Sequence, residues 1–375
     1  MTSPAAHLRG AHRHAPSVSL RCAGGHVASD PALWRCPDCE APWELATSPE
    51  FDPQSIDTTT WSLWRYAAML PAVPPITLGE GGTPLVPVAL PEGEFLAKLE
   101  FLSPTGSYKD RGTAVVVSHL RALGIEEAVE DSSGNAGASL AAYAAAAGVR
   151  ARVFVPAHAG AGKKRQIAEM GAEVVEVVGG RGAAAAACRR ETGTAAYASH
   201  CWNPLFLSGQ STCAWEIWEQ LGGSVPDAVV CPVGQGNLFL GLARGFAALR
   251  RAGLVAAVPR MYAVQSAACA PVAQAWRGGW PQPVAVDEGV TIAEGILTSR
   301  PVRGAEILRV LRRTGGAAVI VTDDEVRVAQ RHLRGAGLSV EPTSAVAVAA
   351  LPLLRDQIAG AQVVLPLTGS GLKTL

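Results

Sequence analysis

Six apolar, β-branched runs recur along the chain: 151–156 (ARVFVP), 173–178 (EVVEVV), 228–233 (AVVCPV), 261–266 (MYAVQS), 317–322 (AAVIVT) and 362–367 (QVVLPL). Their length and their turn-forming borders predict buried strands. Helix-like segments lie among them, at 113–122 before Gly124, 138–147 before Gly148, 211–221, 238–251, 324–335 and 344–356. Glycine just past the last periodic residue is a helix-stop signal, and Asp323 or Asp324 is the expected cap of the 324–335 helix. Residues 60–70 (TWSLWRYAAML) predict a short helix inside a proline-bearing linker that spans 48–75. Strands that are apolar on both faces and alternate with helices predict an α/β fold with parallel sheets covered on both sides.

Composition narrows the picture. A chain of 375 residues exceeds what one core usually serves, so two packed domains with a small appendage are expected. It is 49% apolar and 17% charged, as a folded globular protein is. The charges balance, 32 of each sign, which gives no electrostatic support to a nucleic-acid or membrane-surface role. Residues 1–18 form a loose basic tail without the apolar stretch of a secretory signal. The alanine-rich runs at 138–148 and 183–187 are too short to span a bilayer. Eight cysteines without a secreted disulfide pattern point to the cytoplasm.

In parallel sheets, ligands sit beyond the carboxyl ends of strands. Four loops of that kind carry chemistry. In 104–112 (PTGSYKDRG), Lys109 precedes a helix expected to start near Thr113, and a helix N-terminus favours the neutral, nucleophilic amine. Taken alone, it also reads as an ordinary surface lysine. In 132–137 (SSGNAG), Ser132, Ser133, Gly134 and Ala136 offer hydroxyls and backbone N–H groups to a carboxylate. Asn135 offers an amide to a ring hydroxyl. In 232–238 (PVGQGNL), Gly234, Gln235, Gly236, Asn237 and Leu238 form a turn whose amides can converge on a phosphate; the turn lacks the Gly-Lys-Ser/Thr of a Walker loop. In 366–372 (PLTGSGL), Thr368 and Ser370 bring neutral hydroxyls to the same sheet edge. Each of these three also reads as a plain cap or turn. An amine, a carboxylate cradle, a phosphate cradle and a neutral partner for a ring nitrogen together match pyridoxal 5′-phosphate holding an amino acid.

Six motifs in order, LGEGGTPL (78–85), SPTGSYKDRG (103–112), SSGNAG (132–137), GQGNL (234–238), VEPTSA (340–345) and LTGSGLK (367–373), resemble the tryptophan synthase β-like, fold type II pyridoxal-phosphate enzymes, in particular their threonine synthase-like members. The resemblance covers about residues 60–375. It implies two open, mostly parallel twisted sheets with helices on both faces. It also implies a large cofactor-binding domain from 48–113 and 211–375, and a small mobile α/β domain from 114–210. Lys109 would be the Schiff-base lysine and general acid/base. Asn135 would contact the cofactor's 3′-oxygen, residues 234–238 its phosphate, and Thr368 its ring nitrogen. Ser132, Ser133, Gly134 and Ala136 would hold the substrate carboxylate, and His200 in SHCWNP would touch the substrate. A hydroxyl partner leaves the ring nitrogen largely unprotonated, which favours expulsion of a β- or γ-leaving group over transamination. A homodimer acting on a small amino acid is implied as well.

The pattern also breaks. Phe206 stands where these enzymes carry an arginine near the substrate phosphate, Ser211 stands in place of a lysine, and Ser370 replaces a histidine. A dianion without cations binds poorly, so these changes weaken O-phosphohomoserine as substrate. Lys163, Lys164 and Arg165 are alternative cations or a solvated helix face. Glu294 is a cofactor neighbour or part of a structural loop. Upstream, in the zinc-ribbon-like segment 19–47, Cys22, His26, Cys36 and Cys39 suggest a structural zinc site; with three cysteines only, either His26 is the fourth ligand or the site is degenerate. Three functions follow: a threonine synthase-like enzyme, a serine/threonine dehydratase or β-replacement enzyme, or a cofactor-fold protein that only binds. An intact Lys109 argues against the third.

Overall fold

The structure is a computed structural model that describes residues 18–30, 33–71, 73–192 and 195–374. The expected basic tail falls almost wholly outside the described residues. Twelve strands are present among them: β1 (Leu20–Cys22), β2 (Trp43–Leu45), β3 (Leu85–Leu90), β4 (Gly93–Lys98), β5 (Glu127–Glu130), β6 (Arg150–Pro156), β7 (Glu173–Val177), β8 (Ala196–Tyr197), β9 (Ala228–Pro232), β10 (Arg260–Ser266), β11 (Ala318–Val321) and β12 (Val363–Pro366). They form a two-stranded ribbon β1-β2, a six-stranded sheet ordered β11-β10-β9-β12-β4-β3 and a four-stranded sheet ordered β7-β6-β5-β8. Every pairing in the four-stranded sheet is parallel. In the larger sheet only the edge strand β3 runs antiparallel to its neighbour. That edge tolerates Pro87, which cannot donate to a ladder. Central β9 is buried at every residue, as a strand covered on both faces must be.

The six strands read from the sequence are β6, β7, β9, β10, β11 and β12, each within a residue or so of its expected span. The helices that position the site are α1 (Lys109–Ala122), α2 (Asn135–Ala147), α3 (Ala161–Glu169), α4 (Arg181–Arg190), α5 (Pro204–Gln220) and α6 (Asn237–Arg251). Four local expectations are corrected. Helix α1 begins at Lys109 itself rather than near Thr113. The helix Asp323–Gly335 is capped by Thr322, whose hydroxyl accepts from Glu325 N–H while Glu325 reaches back in a capping box, not by either aspartate. The single helix expected over 344–356 is two, Pro342–Ala349 and Leu351–Ile358. Residues Leu63–Met69 form a 3-10 segment.

Three connections define the site: the loops after β5, β9 and β12, each leaving the carboxyl end of a parallel strand. The segment before α1 joins them. Tyr108 N–H donates to Thr368 O (3.0 Å), and Ser107 bridges Gly369. The ribbon packs behind this region. Trp34 stands edge-on to Tyr197 (5.4 Å) and Trp202 (4.9 Å), and buried Arg303 donates to the carbonyls of Trp43 and Trp202 and pairs with Glu44. Among the described residues, no helix is long and apolar enough to cross a membrane.

Candidate active site

One cavity of about 510 Å³ is lined by Lys109, by all of 132–136, by His200, by all of 234–238 and by Thr368. Every cofactor- and substrate-binding position expected from the sequence therefore faces the same space.

Lys109 opens α1, and its neighbours in sequence are pinned. Asp110 accepts from Thr105 N–H (2.7 Å), Thr105 Oγ1 (2.6 Å) and Ser139 Oγ (2.7 Å). Fully buried Arg111 forks onto Glu100 (2.7 and 2.8 Å) and Glu216 (2.7 and 2.7 Å), and buried Lys98 joins Glu216 at 2.8 Å. Lys109 Nζ lies 4.8 Å from the Tyr108 ring centre and 5.6 Å from that of Phe206.

The turn from β9 into α6 has the shape a phosphate needs. Gly236 has φ +82°, and a Cβ there would meet Ile307 Cδ1 at 2.5 Å; a Cβ on Gly234 would meet Ile296 Cα at 2.8 Å. Asn237 is buried, and its Nδ2 donor has no partner among the described residues. A buried orphan donor at a helix start, beside backbone that no side chain obstructs, fits a phosphate group. Across the cavity the Thr368 hydroxyl lies 2.9 Å from Ser344 Oγ, a neutral pair suited to an unprotonated ring nitrogen.

Asn135 is held more firmly than its sequence suggests. Its Nδ2 donates to both Glu341 oxygens (3.1 Å each), and its Oδ1 accepts from Lys373 Nζ (2.7 Å). Burial pushes the Glu341 carboxyl up and the Lys373 amine down. Both residues stand inside recognised motifs, VEPTSA and LTGSGLK, yet their partnership with Asn135 spans more than 200 residues and leaves no local signal.

His200 belongs to a second group that the sequence did not assemble. Its Nδ1 lies 3.0 Å from Glu130 Oε1 and its Nε2 lies 3.2 Å from Cys201 Sγ. Tyr197 Oη donates to Asp131 Oδ1 at 2.7 Å. Burial raises Glu130 to about 7 and Asp131 to about 6, and it lowers His200 well below the usual imidazole range.

The residues that replace the expected cations behave as spacers. Phe206 is buried against Lys109 and His200, and Ser211 Oγ donates to Leu207 O within its own helix. Cations come from elsewhere: Arg181, Arg189 and Arg300 line the cavity. Arg181 also donates to Leu297 O (2.9 Å) and Glu294 O (3.0 Å), and Lys163 pairs with Glu294, so α3 and α4 are tied to the 294–298 loop.

Away from the cavity, the ligand atoms of Cys22, His26, Cys36 and Cys39 all lie within 4.8 Å of one another. His26 Nδ1 is 3.4 Å from the sulfurs of both Cys22 and Cys36, and Cys39 Sγ is 3.5 Å from Cys22 Sγ. A tetrahedron built on Zn–S bonds of ~2.3 Å has edges of ~3.8 Å, so this donor set fits a zinc ion.

The pyridoxal-phosphate dependent enzyme family model matches residues 76–369. The chain is 34% identical over 354 residues to a threonine synthase of Methanosarcina acetivorans, spanning 90% of this chain and 87% of the relative. It is 35% identical to that of Methanocaldococcus jannaschii, spanning 83% and 80%. Among solved structures, a threonine deaminase from T.th. superposes with a TM-score of 0.65 at 28% identity, covering 77% of this chain and 92% of that one. The chain belongs to the pyridoxal-phosphate dependent enzymes. Within them it is similar to threonine synthase over most of its length.

Proposed function

We propose that this chain converts O-phosphohomoserine to threonine, eliminating the phosphate and adding water. One observation carries the proposal: a single cavity gathers Lys109, the 132–136 cradle, the glycine turn and three guanidinium groups. Bound pyridoxal phosphate would supply the electron sink that lets an amino acid lose its Cα proton. The chain supplies the rest. Lys109 Nζ anchors the cofactor and moves the Cα proton. The N–H groups of 234–238 and Asn237 Nδ2 would hold the phosphate, and Thr368 would offer the ring nitrogen a neutral hydroxyl. Asn135, fixed by Glu341 and Lys373, orients the 3′-oxygen. Ser132, Ser133, Gly134 and Ala136 receive the substrate carboxylate. Arg181, Arg189 and Arg300 take the side-chain dianion, a role the sequence left without cations. The 114–210 lobe closes on the lobe formed by 48–113 and 211–375, and Arg181 and Lys163 latch it to exclude water.

A second reading has its own observation. Phe206 places an apolar ring beside Lys109, which favours a smaller, uncharged leaving group, as in a serine/threonine dehydratase or a β-replacement enzyme. The test is a turnover screen of the holoenzyme with O-phosphohomoserine, serine, threonine and O-acetylserine. Threonine and phosphate from the first substrate are expected, with Lys109→Ala losing both the yellow cofactor absorbance and activity. Ammonia from serine or threonine, with no phosphate from O-phosphohomoserine, overturns the first reading in favour of the second.

Cys22, His26, Cys36 and Cys39 hold a structural zinc in this proposal; metal analysis should give one zinc per chain, lost in Cys36→Ser. None of the eight cysteines forms a disulfide, which suits a cytoplasmic enzyme. A homodimer completes the reading, and sedimentation would check it.

A further inference from the structure

The ring of His200 faces the cavity with its two nitrogens differently engaged: Nδ1 toward Glu130 Oε1 at 3.0 Å, Nε2 toward Cys201 Sγ at 3.2 Å. Glu130 is 1% exposed, and its second oxygen accepts from His200 N–H at 3.2 Å, so the carboxyl fixes both the backbone and the ring. The His200 side chain is 15% exposed. Phe206 neighbours both this ring and Lys109: its ring centre is 6.0 Å from that of His200 and 5.6 Å from the lysine nitrogen. The cavity thus carries two proton-handling groups that share an apolar neighbour.

We propose that His200, backed by Glu130, is a second acid–base residue of this site and that it activates the water that adds to the substrate's side chain. The proposal rests on the reading of the preceding subsection. With Glu130 ionised, Nδ1 carries the ring proton and donates to Glu130, which leaves the Nε2 lone pair as the base. In the addition step the Cα=Cβ double bond left after phosphate loss opens, a carbon–oxygen bond forms at Cβ, an O–H bond of the water breaks, and its proton goes to Nε2. The Nδ1 proton passes to Glu130, and Lys109 returns one proton to Cα, so charge balances. Reversal of the relay to solvent resets it. The Cys201 thiol, kept protonated by burial, is a weak donor that aims Nε2 in the absence of substrate. The other groups facing the ring are Asp131, tied to Tyr197, together with Lys109 from α1 and Arg181 from α4. Glu130 can hold the relayed proton near neutrality because burial has raised its affinity for one.

The test uses holoenzyme with His200→Asn and Glu130→Gln, and follows phosphate release and threonine formation separately. Phosphate release should stay within about threefold of the unaltered enzyme. Threonine formation should fall roughly a hundredfold in His200→Asn, with 2-oxobutanoate and ammonia appearing instead, since a positioned acid–base group is worth about that factor or more. Glu130→Gln should flatten the neutral-pH limb of threonine formation and leave that of phosphate release. Equal falls in both products would mean that the ring only shapes the pocket, and unchanged products would mean that it is idle; either overturns the proposal. If the unaltered enzyme turns over no O-phosphohomoserine, the preceding reading fails instead. The relay is then judged by the imidazole nitrogen-15 resonances of His200 followed across pH. A ring proton on Nδ1 whose titration changes in Glu130→Gln supports it, and a titration identical in the variant rejects it.

Discussion

Arg111, Lys98, Glu100 and Glu216 form one buried ionic cluster; Glu130, Asp131, His200 and Cys201 form another, and the two are built differently. In the first, two cations meet two carboxylates with bidentate geometry, and Thr83 and Thr212 fill remaining valences. Burial alone would raise the Glu100 and Glu216 carboxyls, but the Arg111 and Lys98 charges outweigh it and hold both below the usual range, Glu216 the further. In the second, no lysine or arginine bonds either carboxylate among the described residues, and burial pushes both up. A closed set of charges keeps its protonation state and stiffens the backbone beneath Lys109. An open set stays titratable near neutral pH, as proton chemistry requires.

Breaking the closed cluster should have the largest effect. Arg111→Met strands two buried carboxylates with one lysine and should cost about 3–5 kcal/mol in urea unfolding; adding Glu100→Gln should recover part of it. The open cluster predicts the opposite sign. The folded chain holds the Glu130 proton up to about pH 7, whereas an ordinary carboxyl releases it near 4.5. Stability is therefore lost as pH rises between those values, and Glu130→Gln should be more stable than the unaltered protein at pH 8 by on the order of 3 kcal/mol, with no difference at pH 4. Thermal unfolding at the two pH values reads this directly. The depressed carboxyls of the closed cluster act the other way: their stabilisation is complete above about pH 5 and should disappear on acidification below the ordinary carboxyl range, seen as acid unfolding that Arg111→Met brings to higher pH. The smallest effect calibrates the rest. Asp324 pairs with Arg327 at the exposed start of a helix, and Asp324→Ala should change stability by less than about 0.5 kcal/mol.

The sequence announced six strands by their apolar, β-branched runs, although the edge strand β7 is buried at none of its residues. It hid β3, β4 and β5, and the short β1, β2 and β8. The edge pair alternates and contains Pro87, and β5 reads EAVE, with acids at both ends of a four-residue strand. Helix α1 begins four residues before its apolar pattern, at KDRG, which looks like a loop; the charges of Asp110 and Arg111 are satisfied by Thr105, Ser139, Glu100 and Glu216, three of which lie outside the helix's own sequence neighbourhood. Site residues were legible where one loop carries them together. The partners were not: Glu341 meets Asn135 across 206 positions, and Glu130 meets His200 across 70. Arg181 and Arg189 lie in an alanine-rich helix with no motif, and only the fold brings them to the cavity, where Phe206 replaces the expected cation.

The indole of Trp34, wedged between Tyr197 and Trp202, gives the amino-terminal ribbon a lever on the reaction chamber. Tyr197 steadies Asp131, and Trp202 directly follows Cys201, so the wall that carries the imidazole leans on a buttress anchored by three thiols and a histidine. With the zinc proposed for that anchor in place, chelation should slacken the wall while the vitamin's seat stays intact. Its signature is catalysis that fades under chelation in a preparation that remains yellow.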